Sequence, residues 1–257
     1  MLPAVARRHV LLTCVAAALP VPFPALAQGA AAPDVLLQAV VLRVGMERLV
    51  KLELERRVLQ HSRAVLAADK ERLRLQRARE VLGGPIKGLA GRREAQVQRA
   101  VLDAGELLQQ LRQPVDALVG ASEALAARLG IVTTTLSGGA SDGDRATLID
   151  LLARASASAL RLGKDNFAAA AAGLASADVA VSAQQSVGEF RAALASVAAQ
   201  RLDERGRQDL QLAQNQWLLL SQVLGPSGLA KAPERLAEVA TTTDRIAESM
   251  LALARRA

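Results

Sequence analysis

The stretch VLRVGMERLVKLELERR, residues 41–57, decides the fold class. On a helix that turns by about 100° per residue, the apolar residues in and around it form two ridges on opposite sides. A helix that is apolar on two sides lies between two other surfaces of a bundle. The stretch therefore predicts an all-α protein. One ridge contains Leu37, Val41, Val44, Leu52 and Leu59, and the other contains Met46, Val50, Leu54 and Val58.

The rest of the chain after Pro33 also has the composition of helices, because strong helix formers dominate it and glycine and proline cluster at a few breaks. Pro114 and Pro233 each open the fourth helix of a run. This repetition predicts two tandem antiparallel four-helix bundle units, 28–136 and 145–257, joined by a linker at 137–144. The alternative is one continuous bundle in which the fourth helix runs into the fifth. Eight helices are predicted, at about 34–60, 62–82, 92–112, 114–135, 145–173, 178–200, 204–224 and from 233 onward.

Residues 1–27 have the form of a secretory signal peptide. Arg7 and Arg8 precede a short apolar run, and Ala25-Leu26-Ala27 is a small-x-small cleavage site before Gln28. The pattern predicts a periplasmic protein with no membrane span after cleavage, since no later segment is long and apolar enough. A retained membrane anchor and a twin-arginine export signal remain as alternatives.

The net charge indicates an anionic partner. The chain carries +7, and loss of the two signal-peptide arginines leaves +5. Residues 28–140 hold 17 basic and 12 acidic residues, whereas residues 141–257 hold 13 of each. The basic excess favours a small anion, an acidic protein partner or a membrane surface, if it is more than a solvated helix face. Nucleic acid is not expected, because few aromatic residues are present to stack on bases.

The residue types for most catalytic and metal centres are missing from the sequence. Cys14 leaves with the signal, and His61 is the only histidine after residue 27. The sequence contains no His-Glu-x-x-His, no Glu-x-x-His, no Cys-x-x-Cys-His and no Walker-type phosphate loop. We therefore expect no metal, no cofactor and no enzymatic activity.

Arg48 interrupts the first apolar ridge. No acidic residue lies three or four positions from it, so it has no local salt-bridge partner. Its guanidinium group either reaches solvent or pairs with an acid on another helix, a carbonyl, water or an exogenous anion. Lys51, in contrast, lies between Glu47 and Glu55 at i−4 and i+4, which predicts an ordinary solvated row of ion pairs.

The fifth helix has a matching ridge, in which the single polar residue is Ser156, 108 residues after Arg48. Trp217 in the seventh helix is predicted to fill the core of the second unit.

Several of these segments resemble the PilJ-type sensor domain at the N-terminus of type IV pili methyl-accepting chemotaxis transducers, which is similar to the periplasmic domains of nitrate/nitrite sensor kinases. The family's first helix has the form N-x-A-G-R-Q-R-M-L-S-Q-R-M. VLRVGMERLVKLEL keeps Gly45 and Arg48, and IDLLARASASALRL keeps Arg154 and Arg161 but has Ser156 at the second arginine. RQDLQLAQNQWLLL and APERLAEVATTTDRIAESMLAL resemble its third and last helices.

The resemblance implies a degenerate tandem copy of a helical sensor domain. It implies a small oxyanion such as nitrate or nitrite at Arg48 and Gly45, with Arg154, Ser156 and Arg161 as remnants of the motif in the second copy. Signalling would then pass through a protein partner or a homodimer formed by the first helix. The alternative function is a structural or adaptor protein of the cell envelope that has lost ligand sensing.

Overall fold

A computed structural model describes residues 33–60, 62–86, 89–173 and 177–257. The predicted signal peptide, Cys14 and His61 lie outside these residues. The described residues form eight α-helices and no strand, which confirms the all-α prediction. The helices are α1 (Pro33–Leu59), α2 (Ser62–Gly83), α3 (Arg92–Gln110), α4 (Val115–Ser137), α5 (Gly143–Ala171), α6 (Ala177–Ala198), α7 (Glu204–Val223) and α8 (Leu236–Arg256).

The breaks between helices fall where turn-forming residues predict them. Helix α4 ends at Ser137 and α5 begins at Gly143, so the fourth helix does not run into the fifth. Asp142 caps α5 by accepting a hydrogen bond from the backbone N–H of Arg145. Helix α8 begins three residues later than its proline suggests, because Pro233–Arg235 forms a 3₁₀ turn first.

The helices pack in two groups that share a core. Helix α1 contacts α2 and α4, which both contact α3; in the same way α5 contacts α6 and α8, which both contact α7. Helix α1 also packs along α5, and α4 contacts α5. One hydrophobic cluster therefore crosses both groups and includes Leu49 of α1 and Leu160 of α5. A second cluster, which includes Phe190 and Met250, lies within α5–α8. The 137–144 segment joins two consecutive helices of one packed body.

Helix α1 is enclosed by α2, α4, α5 and α8. Between Val41 and Leu54, the residues of both apolar ridges are buried, and α1 contacts helices of both groups, as its pattern predicts. The prediction that Glu47, Lys51 and Glu55 form a solvated row is wrong, because all three are buried and Lys51 is 0% exposed. Between Val35 and Leu59, where the structure describes the burial of α1, Arg56 is the only exposed side chain. The homodimer through this helix stays a prediction.

Trp217, predicted to fill the core of the second unit, packs against the second cluster but is only partly buried. Its ring centroid is 4.9 Å from that of Phe190, with the two rings tilted by 45°. The pair links α7 to α6 by an aromatic contact that stabilises the packing of these two helices.

Candidate functional site

Arg48 pairs with three acidic residues from other helices. Its Nη2 donates a hydrogen bond of 2.6 Å to Glu248 Oε1 of α8. Its Nε lies 3.5 Å from Asp244 Oδ1, and its Nη1 lies 3.9 Å from Glu71 Oε2 of α2. Sequence reasoning could not find these partners, because Glu248 is 200 residues away and Glu71 and Asp244 lie on other helices.

These carboxylates determine the charge around Arg48. Burial alone would lower the pKa of Arg48, but Asp244, Glu248 and Glu71 outweigh burial and raise it. A hollow of about 540 Å³ beside Arg48 is lined by Arg63 and Lys70 as well. An anion entering there would meet the carboxylates of Glu71 and Glu248, and the guanidinium group of Arg48 already faces three acids. We therefore interpret the position as a structural ion-pair cluster.

Gly45 allows α1 and α2 to approach closely. A Cβ atom at this position would lie 2.5 Å from Glu71 Oε1 and 2.7 Å from Leu75 Cδ2. Both distances are shorter than van der Waals contact. The glycine of the motif therefore has a packing role next to an acid that neighbours Arg48.

Two lysines form a buried charge layer between the helix groups. Lys51 Nζ lies 3.1 Å from Asp244 Oδ2 and 3.0 Å from Glu55 Oε2. Lys164 of α5 is fully buried, and its Nζ lies 2.9 Å from Glu47 Oε2 and also binds Glu123 of α4. Burial lowers the pKa of Lys164, but these acids raise it overall. The layer ties α1 to α4, α5 and α8.

Ser156 does not contribute to a ligand site. It is fully buried, and its hydroxyl donates a 2.8 Å hydrogen bond to the carbonyl of Leu152 within α5. The hydroxyl donor of Ser156 is therefore used by a carbonyl of its own helix. Of the three predicted motif remnants, Arg154 and Arg161 line an open groove and Ser156 does not.

Arg154 and Arg161 line a groove of about 840 Å³. Helices α4 and α6 form its walls and α5 forms its floor, and we call it the α4–α6 groove. Arg43 reaches it from α1 beneath Gly130, whose missing side chain leaves the guanidinium carbon of Arg43 3.7 Å from the Cβ position. The other lining residues are Glu123, Ala126, Ala127, Gly130, Ile131, Thr134, Thr135, Leu151, Ser158, Gln185, Glu189, Ala192, Ala193 and Ser196.

At one end of the groove, two arginines share a single carboxylate. Arg154 Nε donates a 2.9 Å hydrogen bond to Asp150 Oδ2, and Arg154 Nη2 donates one of 3.2 Å to Thr134 Oγ1. Arg43 Nη1 donates to Thr133 Oγ1 at 2.9 Å and lies 3.7 Å from Asp150 Oδ1. This end therefore carries one positive charge more than its acid balances.

The pKa of Arg43 is lowered, in agreement with this excess of positive charge. Burial lowers it, the attraction of Asp150 does not compensate, and the nearby charges of Arg154 and Arg161 lower it further. An anion in the groove would offset these costs. Sequence analysis named Arg154 but missed Arg43, whose only visible signal was its position in the first helix.

The other end of the groove is acidic. Arg161 lies 3.1 Å from Glu189 Oε2 of α6 and 3.5 Å from Glu123 Oε2 of α4, and it is also close to Glu47. Burial alone would lower the pKa of Arg161, but these three carboxylates raise it. The predicted motif remnants Arg154 and Arg161 therefore share a groove but differ in electrostatic surroundings.

No family model, curated protein or solved structure matches this chain. The resemblance to the PilJ-type sensor domain thus stays a prediction from the residues. Within the described residues, no cluster of histidine, cysteine, aspartate and glutamate is arranged to hold a metal ion. No helix among them has the length and apolar character needed to cross a membrane.

Proposed function

We propose that this protein is a non-enzymatic, sensor-like binding protein that holds an anionic ligand in the α4–α6 groove. The observation that carries the proposal is the pair of arginines, Arg43 and Arg154, that share only Asp150 at the wall of a groove of about 840 Å³. Guanidinium groups suit oxyanions because their donors lie in a fixed plane. The anion that sequence analysis assigned to Arg48 and Gly45 is reassigned to this groove.

The position of the groove supports a sensing role. Arg154 lies on α5, which contacts α1, α4, α6 and α8. A ligand bound between α4 and α6 would change the relative stability of contacts that α5 makes with both helix groups. Such a protein reports its ligand to a partner only if ligand affinity differs between two arrangements of these helices.

Thermal melts test the proposal with nitrate, acetate and octanoate as probes. A ligand that binds only the folded state raises the melting temperature with its concentration. We expect at least one of these anions to raise it for the wild type, and Arg154→Gln to weaken the effect at least tenfold. If none of these anions shifts the melting temperature, the proposal fails.

Arg128→Gln is the matched control for this experiment. Arg128 lies on α4 outside the groove, and its side chain is 50% exposed, against 47% for Arg154. It pairs with Asp103, which keeps Arg99 as a second partner, just as Asp150 keeps Arg43. The control variant should bind the anion as the wild type does, because it changes the same charge in a similar setting.

A structural or adaptor role is the second candidate, favoured by exposed leucines at helical spacing. Leu66 and Leu73 on α2 are 65% and 61% exposed, and Leu212 and Leu219 on α7 are each 53% exposed. Residues seven apart lie on one helix face. In this case the double variant Leu66→Gln, Leu73→Gln would abolish co-purification of a specific envelope protein. Co-purification at the wild-type level would show that the Leu66–Leu73 face of α2 does not bind that protein.

Export to the periplasm belongs to the same proposal and rests on residues 1–27. Sequencing the N-terminus of the protein isolated from its native host tests it. A mature chain that begins at Gln28 is expected, and a chain that retains Met1 in the cytoplasm would contradict export.

A further inference from the structure

The groove has far more space than an inorganic oxyanion needs. Its volume of about 840 Å³ lies within the range of roughly 300–1,000 Å³ typical of pockets for organic ligands. A nitrate ion has only four heavy atoms and would contact a small part of the lining. The volume therefore favours a ligand with an organic body in addition to its charge.

The two walls of the groove are apolar midway along their helices, whereas the floor there carries Ser158. Ala126, Ala127 and Ile131 line the α4 side, and Ala192 and Ala193 line the α6 side. Ile131 is 56% exposed, so it presents apolar surface that a ligand could remove from water. The small alanine side chains leave the space between the two walls unfilled above α5.

The two ends of the groove differ in charge. The Arg43–Arg154 end has two cations and the one carboxylate of Asp150. Around Arg161 and Lys164, the opposite end has three carboxylates, those of Glu47, Glu123 and Glu189. Arg154 and Arg161 are seven residues apart on α5, so the ends are about 10 Å apart along the helix. A ligand of that length meets a positive end and a negative end.

We propose that the ligand of the α4–α6 groove is an organic monocarboxylate with an unbranched or narrow apolar body. Its carboxylate binds Arg154 and Arg43, and its body lies between Ala127 of α4 and Ala192 of α6 toward Arg161. A second carboxylate at the far end is repelled by Glu123 and Glu189. This inference rests on the proposed function and specifies the ligand class of the same site.

Isothermal titration calorimetry with nitrate, octanoate and octanedioate tests the inference. We expect octanoate to bind at least tenfold more tightly than either of the other two. If nitrate or octanedioate binds as tightly as octanoate, the ligand class is wrong although anion binding stands. If neither these probes nor acetate binds, the proposed function itself fails.

Variants at the α6 wall separate the apolar contact from the charge contact. Ala192→Leu fills the groove and should weaken octanoate at least fivefold while leaving a weak nitrate signal unchanged. Ala195→Leu is the control, because Ala195 is exposed on α6 outside the groove. Equal octanoate affinity in both variants would overturn the assignment of the apolar body to this wall.

Glu189→Gln tests the repulsion at the far end. Glu189 is 41% exposed, so its neutralisation should not disturb the fold. The variant should bind octanedioate more tightly than the wild type, and the ratio of octanedioate affinity to octanoate affinity should rise by threefold or more. An unchanged ratio between the two affinities would contradict the proposed orientation of the ligand.

Discussion

Arg48 and Arg154 lie on the two central helices, yet they are surrounded by different numbers of carboxylates. Around Arg48, three acids from α2 and α8 are shared among Arg48, Lys51 and Arg74, and they raise the pKa of Arg48. Around Arg154 and Arg43, two guanidinium groups meet the one carboxylate of Asp150, and the pKa of Arg43 is lowered. The ion pairs of Arg48 join α1 to α2 and α8. The Arg43–Arg154 pair carries one positive charge more than Asp150 balances, and we propose that a ligand binds there.

An arginine that lacks an acidic partner at helical spacing in the sequence can still have acidic partners on neighbouring helices. Arg48 has no acidic residue three or four positions away, and it is the better paired of the two. Arg154 has a local acid, Asp150, four positions earlier, but shares it with Arg43. The count of charges contributed by all neighbouring helices decides which arginine can accept an anion.

The largest expected effect is that of Arg48→Gln on stability. The substitution removes one of the two cations that each largely buried acid has, since Glu71 keeps Arg74 and Asp244 keeps Lys51. Loss of one partner of a buried ion pair costs several kcal/mol. We expect the free energy of unfolding to fall by about 2–4 kcal/mol, less than for a fully buried pair, since Arg48 is 16% exposed. Urea unfolding followed by circular dichroism measures it. A loss below about 0.5 kcal/mol would show that the cluster is not structural.

Asp165 should make the free energy of unfolding depend on pH. Burial raises its pKa from 3.8 to about 7, although Lys164 and a hydrogen bond from Ser182 oppose the shift. The folded state then keeps a proton that the unfolded state releases above about pH 4. Stability is therefore lost as pH rises from about 4 to about 7.

Asp165→Asn removes this titration. We expect the variant to show a flatter pH profile than the wild type and to be more stable at pH 8, by on the order of 2 kcal/mol. Melting temperatures from pH 4 to pH 8 check the slope. Parallel profiles for the two proteins would mean that Asp165 is ionised throughout this range in the folded state.

Two glycines give a matched pair for the two arginine sites. Gly45→Ala places a Cβ atom 2.5 Å from Glu71 Oε1, so the close packing of α1 on α2 must shift, at a cost of about 1–3 kcal/mol. Gly130→Ala meets only the Arg43 guanidinium at 3.6 Å, and alanine favours a helix by up to about 1 kcal/mol. Opposite effects on the free energy of unfolding are expected. Equal effects would indicate that the two sites are packed alike.

The smallest effect on stability is expected for Arg154→Gln. Its side chain is 47% exposed, and Asp150 keeps Arg43 nearby, so the free energy of unfolding should change by less than about 0.5 kcal/mol. Arg128→Gln should behave in the same way. Urea unfolding of both variants measures this, and a loss above about 2 kcal/mol for Arg154→Gln alone would make Arg154 a structural residue like Arg48.

Local properties of the sequence were enough to predict the helices and their breaks. Helix-forming composition and clusters of glycine and proline act over a few residues, so the end of α4 and the start of α5 could be placed from residues 137–144. The two-sided apolar pattern of the first helix also predicted that α1 lies between two groups. These features need no knowledge of which helices are neighbours.

The electrostatic arrangement could not be predicted, since it depends on helix neighbours. The spacing of Glu47, Lys51 and Glu55 is the same whether a helix face meets water or another helix, and the packing of α1 against α5 and α8 decides between them. In the same way Arg43 and Arg154 are 111 residues apart in sequence, and only the packing of α1, α4 and α5 brings them to one groove.

A crystal structure with 8-bromooctanoate would test the central claim most directly, because anomalous scattering locates the bromine atom. The claim predicts a bromine peak between α4 and α6, with the ligand carboxylate within hydrogen-bond distance of Arg154. A ligand bound beside Arg48 between α2 and α8, or an empty α4–α6 groove at a ligand concentration that saturates binding in solution, would contradict it.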